Sequence, residues 1–152
     1  ELANILKWKA DTLVINLQAD MPELKYDNIN LLAEKSENNE GLSTLYYDLE
    51  NFKTKMSKNT VKICIDGENI NFCRKVDGNI GDKIYKHIGI YGYYVKDLDS
   101  YKQLPQSENE KDLSLEQFRF VDNGYKISAY YAVSDPGISI DSSDNLNEIS
   151  KV

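Results

Sequence analysis

The sequence is poor in the residues on which several large classes of function depend. Only two of its 18 basic side chains are arginines, Arg74 and Arg119. The 25 acidic side chains outnumber the 18 basic ones and give a formal net charge of −7. A protein that binds a nucleic-acid backbone needs a basic stripe, so the charge balance argues against a nucleic-acid partner. No apolar run approaches the roughly 18 residues that cross a bilayer, so no membrane span or membrane partner is expected.

Histidine and cysteine are equally scarce. His87 is the single imidazole, which excludes zinc sites and mechanisms that need two histidines. Cys64 and Cys73 form no CxxC pair, so we expect two reduced, buried thiols, although a tight hairpin could bring them into a disulfide. Neither GxGxxG nor GxxxxGK[ST] occurs, so phosphate-binding loops of those types are absent from this sequence. The first residues show no signal peptide, and we expect a cytoplasmic protein.

The apolar pattern predicts strands alternating with helices. Residues 12–17 are almost continuously apolar, which is typical of a strand buried in a parallel sheet, and the Asp66-Gly67 turn predicts a hairpin. Predicted strands lie at 12–17, 42–47, 61–65, 70–73, 86–94, 126–133 and 138–140; predicted helices lie at 1–8, from the cap Asp27 onward, around Phe52, at 113–122 and from Ser142 or Ser143 onward. This order predicts one α/β domain over 1–152, with a mixed, largely parallel sheet flanked by helices.

Polar side chains follow several predicted strands, where α/β sheets bind ligands. Gln18 and Asp20 follow the first strand, Asp141 follows the segment 138–140, and His87 and Tyr91 project from one side of the strand at 86–94. Two carboxylates without histidine or cysteine nearby suit a hard cation such as Mg²⁺.

Several candidate residues also have a purely structural interpretation. Asp141 could cap a helix, and a histidine on a strand is more often buried and hydrogen-bonded than catalytic. Glu116 and Gln117 would lie on a solvated helix face, where Arg119 could pair with Glu116. Arg74 ends a strand and could bind a carboxylate through two parallel hydrogen bonds.

Taken in order, several segments resemble one family. LVINLQAD with the following Pro22, TVKICID, FCR, KHIGIYGY, LEQFRFVDNGYKI and GISIDSSDNL are similar to the 3-deoxy-manno-octulosonate cytidylyltransferases, also called CMP-Kdo synthetases. The similarity runs over essentially the whole chain and implies a nucleotide-diphospho-sugar transferase-like fold. The basic loop with which the family grips the CTP phosphates has no counterpart here, so the sequence resembles the C-terminal portion of the family, N-terminally incomplete.

The resemblance also implies a reaction and a site. The family transfers CMP from CTP to the acidic sugar Kdo for lipopolysaccharide synthesis, releases pyrophosphate and requires Mg²⁺. The resemblance implies that Asp20 and Asp141 are the catalytic residues and metal ligands, and that the protein is a cytoplasmic homodimer. It implies sugar binding by Gln18, His87, Tyr91, Glu116 and Gln117, with Arg74 as the partner of the sugar carboxylate.

Two other functions stay open at this point. The chain could be a non-catalytic sugar-binding or assembly module that has kept this fold. It could also be a cytidylyltransferase for a related acidic sugar, either a sialic acid or an amino-Kdo relative.

Overall fold

The computed structural model of the chain describes residues 2–49, 56–67, 69–76 and 83–140. Within these residues, six strands form one sheet, and five helices accompany it. The strands are β1 (Leu13–Asn16), β2 (Leu42–Tyr47), β3 (Lys62–Asp66), β4 (Asn69–Cys73), β5 (Ile84–Tyr94) and β6 (Ile127–Tyr131). The helices are α1 (Leu2–Ile5), α2 (Tyr26–Ser36), α3 (Val95–Gln103), α4 (Glu108–Leu113) and α5 (Gln117–Val121). No helix in these four ranges is long and apolar enough to cross a membrane.

The long strand β5 lies at the centre of the sheet. Its first half pairs with β3 and its second half with β1, while β2 pairs along the opposite edge. All of these pairings are antiparallel, as is that of β3 with β4; β2 and β6 form the one parallel pair among the described strands. The expected largely parallel sheet is therefore wrong. An apolar run such as 12–17 reports burial, and burial does not encode the direction of the neighbouring strand.

Hydrophobic clusters cover both faces of the sheet. Leu42 and Leu45 point to opposite faces because they are an odd number of residues apart on β2. One face packs against α2 through Met21, Leu32, Leu45, Ile88, Ile90 and Ala132. The other packs against the α4–α5 region through Leu42, Ile63, Phe72, Tyr91, Leu115, Phe118, Phe120 and Ile127. The sheet is thus the middle layer, as the predicted helix-flanked α/β architecture requires.

Local predictions fared best where turn chemistry was explicit. The strand at 42–47 and the hairpin around Asp66-Gly67 are confirmed. The single helix predicted for 113–122 is wrong, because Ser114 adopts the left-handed conformation and separates α4 from α5. Residue 25, not Asp27, occupies the N-cap position of α2.

Other predicted elements have different outcomes. Residues 138–140 form no regular strand, although the Ile140 N–H donates to the Asp20 carbonyl oxygen at 2.8 Å. The helix predicted around Phe52 is centred on residues outside the described ranges. The final helix and Asp141 also lie outside them.

Candidate functional site

A bulge in β5 shapes the predicted sugar-binding stretch. Thr44 on β2 pairs with Tyr91 and the next residue, Leu45, pairs with Ile88, so the two intervening residues of β5 have no partner in this register. Bulges of this kind bend a strand and re-aim its side chains. His87 and Tyr91 flank the bulge with ring centroids 5.7 Å apart.

Gln18, beyond the end of β1, lies over the same stretch. A Cβ atom added to Gly89 would come within 2.8 Å of Gln18 Oε1, so the absence of a side chain at Gly89 makes room for the glutamine amide. The structure therefore places the Gln18 amide against Gly89, which lies between His87 and Tyr91 on β5. The roles of Gln18, His87 and Tyr91 in binding a sugar stay predictions.

His87 is buried and neutral. Its side chain lies edge-on to the Phe72 ring, and its Nε2 atom is 2.9 Å from Thr44 Oγ1. Burial lowers the pKa of His87 to about 3, because the charged imidazolium would lose its hydration. The structural interpretation of His87 as a buried, hydrogen-bonded histidine is therefore correct, and any contact with a ligand would involve a neutral ring.

A cavity of about 190 Å³ opens between the sheet and the α3–α5 region. It is lined by Asn16, Leu42, Tyr91, Tyr93, Leu98, Tyr101, Glu116, Gln117 and Phe120. Three of the six predicted substrate-binding residues, Tyr91, Glu116 and Gln117, are among these. The mixture of ring faces with a carboxylate and an amide suits a ligand that has both C–H surfaces and hydroxyl groups.

Gln117 leaves a hydrogen-bond donor unused at this cavity. Its side chain is buried, and its Oε1 accepts a hydrogen bond from the Tyr91 hydroxyl at 3.2 Å, while Nε2 has no partner among the described residues. A buried amide nitrogen without an acceptor is costly, and a ligand oxygen would satisfy it. Burial, together with the neighbouring Glu116 carboxylate, raises the pKa of Tyr91, so the phenol stays protonated and able to donate.

Arg119 does not line the cavity but packs against Tyr101, which does. The pairing expected with Glu116 is wrong: Nε and Nη2 of Arg119 donate to the two carboxylate oxygens of Glu110 at 2.8 and 2.5 Å. Glu116 stands at the N-cap of α5, whereas Glu110 reaches Arg119 from the preceding helix. The guanidinium lies 4.5 Å from the centroid of the Tyr101 ring, which lines the cavity and which the sequence pattern did not reveal.

Arg74 lies beyond the end of β4 and faces backbone carbonyls. Its Nε donates to the Leu113 carbonyl at 2.6 Å and Nη2 to the Ser114 carbonyl at 3.2 Å. Nη1 donates to the carbonyls of Lys58 and Asn59. The guanidinium thus joins the 58–59 segment to the break between α4 and α5, and its predicted role toward a sugar carboxylate stays a prediction.

Asp20 has one carboxylate oxygen available for a cation. Its Oδ2 accepts from the Ser139 hydroxyl at 3.2 Å, whereas Oδ1 is buried and has no partner among the described residues. No group of three or more metal-binding side chains exists in that part of the chain. Because Mg²⁺ needs only one or two protein carboxylates, a single unpartnered oxygen at Asp20 fits this ion. The second predicted ligand, Asp141, lies outside the described residues.

Cys64 and Cys73 lie on neighbouring strands of the hairpin as free thiols. Their Sγ atoms are 3.8 Å apart, and both side chains are half-buried rather than fully buried as expected. Burial and the adjacent Cys73 raise the pKa of Cys64 to about 12. That the two thiols are reduced stays a prediction.

Comparison with known proteins gives consistent matches. The chain is 35% identical over 146 residues to the 3-deoxy-manno-octulosonate cytidylyltransferase of Fusobacterium nucleatum subsp. nucleatum, covering 90% of this chain and 58% of that protein. It is 31% identical over 168 residues to the enzyme of the same name from Neisseria gonorrhoeae, covering 100% of this chain and 66% of that protein. The chain thus spans 58% to 66% of the length of these relatives. No family model matches the chain.

Solved structures show the same relationship. A structure of CMP:2-keto-3-deoxy-manno-octonic acid synthetase complexed with CTP superimposes with a TM-score of 0.82 at 28% identity, over 99% of this chain and 65% of that one. A 4-diphosphocytidyl-2C-methyl-D-erythritol synthase from Anaerococcus prevotii matches with a TM-score of 0.55 at 14% identity, over 91% of this chain and 55% of that one, a similarity of fold alone. The fold is that of the nucleotidyltransferases.

Proposed function

We propose that this chain, which belongs to the 3-deoxy-manno-octulosonate cytidylyltransferase family, contributes the sugar-binding and metal-binding residues for transfer of CMP from CTP to Kdo. Pyrophosphate is the second product, and lipopolysaccharide synthesis is the process served. The observation that carries the proposal is the superposition of 99% of the chain on a CMP-Kdo synthetase complexed with CTP. We also propose a cytoplasmic homodimer.

The cavity beside β5 supports a sugar substrate. Ring faces of Tyr91 and Tyr101 can pack against the C–H faces of a sugar, and the Glu116 carboxylate can accept from its hydroxyls. Gln117 Nε2 supplies the complementary donor, since it has no partner among the described residues. These side chains would hold the sugar in one orientation, and orientation of a hydroxyl against a phosphate is a large part of catalysis of this kind.

Asp20 supports the metal part of the proposal. Its unpartnered Oδ1, together with Asp141, would hold Mg²⁺. Bound Mg²⁺ would neutralise phosphate charge and fix the phosphate for in-line attack by the sugar hydroxyl. The Ser139 hydroxyl on Oδ2 would keep the Asp20 carboxylate in a fixed orientation.

The test is an assay of pyrophosphate release from CTP and Kdo by the purified protein joined to an N-terminal segment that carries the family's basic loop, because the sequence alone lacks the loop that grips the CTP phosphates. We expect release only when both substrates and Mg²⁺ are present. In Asp20→Asn we expect the rate to fall by about 100-fold or more. Asp122→Asn is the matched control, because Asp122 is an exposed carboxylate bonded only to Asn109 among the described residues. Equal rates in Asp20→Asn and the unaltered protein would refute the metal assignment.

A second set of substrates tests the sugar. We expect Kdo to be preferred over a sialic acid and over an amino-Kdo relative in the same assay. Sedimentation equilibrium tests the homodimer, which a monomer at micromolar concentration would contradict. Full release of pyrophosphate with a sialic acid but not with Kdo would replace the proposed substrate.

A further inference from the structure

Thr44 makes an unusual set of contacts at the bulge of β5. Its side chain is fully buried, and its Oγ1 lies 2.9 Å from His87 Nε2, 3.1 Å from the Ile88 carbonyl and 2.9 Å from the Ile90 carbonyl. One hydroxyl oxygen therefore contacts the imidazole and the two carbonyls on either side of Gly89. No residue other than Thr44 bonds the His87 side chain in the described part of the chain.

The hydrogen count of this cluster determines which imidazole nitrogen carries the proton. A threonine hydroxyl has a single proton to donate, and a carbonyl oxygen can only accept. If that proton points to the Ile88 or Ile90 carbonyl, Nε2 must be the donor in its contact with Thr44. In the opposite tautomer, the Thr44 hydroxyl would donate its proton to Nε2 and would have none left for either carbonyl.

We propose that Thr44 is a positioning residue that holds His87 as the Nε2–H tautomer and so leaves Nδ1 as an acceptor for a hydroxyl of the bound sugar. The acceptor role rests on the proposed function, whereas the tautomer does not. His87 then recognises its ligand as a neutral acceptor and donates no proton from Nδ1. The edge-on Phe72 ring and the Tyr91 ring restrict rotation of the imidazole, so the acceptor direction is defined.

The tautomer can be measured directly, because His87 is the only histidine of the chain. In ¹⁵N-labelled protein at neutral pH, we expect a pyrrole-type shift for Nε2 and a pyridine-type shift for Nδ1. Thr44→Ser keeps the hydroxyl and should preserve both shifts. Thr44→Val keeps the shape but removes the hydroxyl, and should give averaged shifts that report a mixture of tautomers.

Three results would overturn the positioning role: a pyridine-type Nε2 in the unaltered protein, unchanged shifts in Thr44→Val, or equal disturbance in Thr44→Ser and Thr44→Val. Far-UV circular dichroism verifies that each variant is folded. If Thr44→Val does not fold, the unaltered protein and Thr44→Ser still decide, because the first must show the pure tautomer and the second must retain it.

Kdo is the probe for the acceptor role. We expect Kdo to shift the Nδ1 resonance and leave Nε2 protonated, and we expect Thr44→Val to raise the KM for Kdo about 3- to 10-fold with little change in the KM for CTP. An unresponsive Nδ1 in a protein that releases pyrophosphate from CTP and Kdo would overturn the acceptor role alone. Failure of that assay would instead refute the proposed function, and the tautomer result would stand.

Discussion

Burial, at the scale of single residues, sets the charge of the side chains around β5. His87 is surrounded by ring faces and a threonine hydroxyl, and no carboxylate among the described residues hydrogen-bonds to it. Desolvation alone therefore lowers its pKa to about 3. Lys62, also fully buried, has its pKa lowered mainly by desolvation, and its ammonium donates to the carbonyls of Ser57 and Arg74.

The depressed pKa of His87 predicts a pH-dependent stability. Its folded-state pKa of about 3 lies below the unfolded value of 6.5, so the unfolded chain takes up the proton first as the pH falls. The stability that the neutral His87 contributes is fully present above the unfolded pKa of 6.5 and is lost as the pH falls toward 3. The free energy of unfolding should decrease by about 2 kcal/mol between pH 6.5 and pH 5. Urea denaturation at these two pH values measures it. His87→Gln should lose less stability over the same interval, and an equal loss in both proteins would contradict the prediction.

Cys64 should be a slow nucleophile. A pKa of about 12 reduces its thiolate population, and the higher nucleophilicity of a high-pKa thiolate offsets only part of that loss. We expect alkylation by iodoacetamide at pH 8 to be roughly 50-fold slower than for a free thiol. Peptide mapping by mass spectrometry separates Cys64 from Cys73. Labelling of Cys64 at the same rate in the native and the urea-denatured chain would show that its environment does not protect it.

At the scale of elements, two glycines of β5 differ in what lies against them: Gly89 faces a candidate site residue, whereas Gly92 faces the packed interior. A Cβ at Gly89 would meet the end of the Gln18 side chain, at 2.8 Å from Oε1 and 3.2 Å from Nε2. Gln18 is exposed and can swing away. A Cβ at Gly92 would instead overlap the hydroxyl of Ser36, which is buried and bonded to the Leu32 carbonyl.

Alanine at these two positions should therefore have different effects. Gly89→Ala should change the free energy of unfolding by less than about 1 kcal/mol but weaken the proposed binding of Kdo, because the Gln18 side chain, proposed to contact the sugar, is displaced. Gly92→Ala should destabilise the fold by about 1–3 kcal/mol through overpacking. Urea denaturation and calorimetric titration with Kdo measure the two effects. Similar stability losses in both variants would show that Gln18 does not lie over Gly89.

The sequence predicted those elements whose signals are local. The Asp-Gly turn specifies the β3–β4 hairpin within a few residues, and alternation specifies β5. Strand direction depends on partners distant in sequence, so the apolar run in β1 could not reveal its antiparallel pairing with β5. The break at Ser114 was missed because serine rarely adopts a left-handed conformation, and no local rule signals it.

The candidate site shows the same division. Family motifs led to Tyr91, Glu116 and Gln117, which the fold brings to one cavity. Tyr101 and Thr44 were missed, since a tyrosine in a polar stretch and a threonine in an apolar strand have no pattern that marks them. Their importance arises from packing: Arg119 holds the Tyr101 ring, and the bulge places three acceptor or donor atoms around Thr44.

At the scale of the whole molecule, one sheet couples two hydrophobic clusters. Leu32 on α2 belongs to the cluster on one face, and Phe118 on α5 to the cluster on the other. Both clusters include residues of β2 and of β5, so neither can come apart without exposing a face of the strands that support the other. This arrangement implies that the two faces unfold together.

Truncation on either face should consequently lower one common transition. We expect Leu32→Ala to cost about 2–5 kcal/mol and Phe118→Ala about 3–5 kcal/mol, since both side chains are buried and each leaves a cavity. Urea denaturation followed by far-UV circular dichroism and by aromatic fluorescence should give coincident curves for each variant. Separate midpoints for the two probes, or a transition that only one of the variants shifts, would mean that the faces are independent and that the central strand does not couple them.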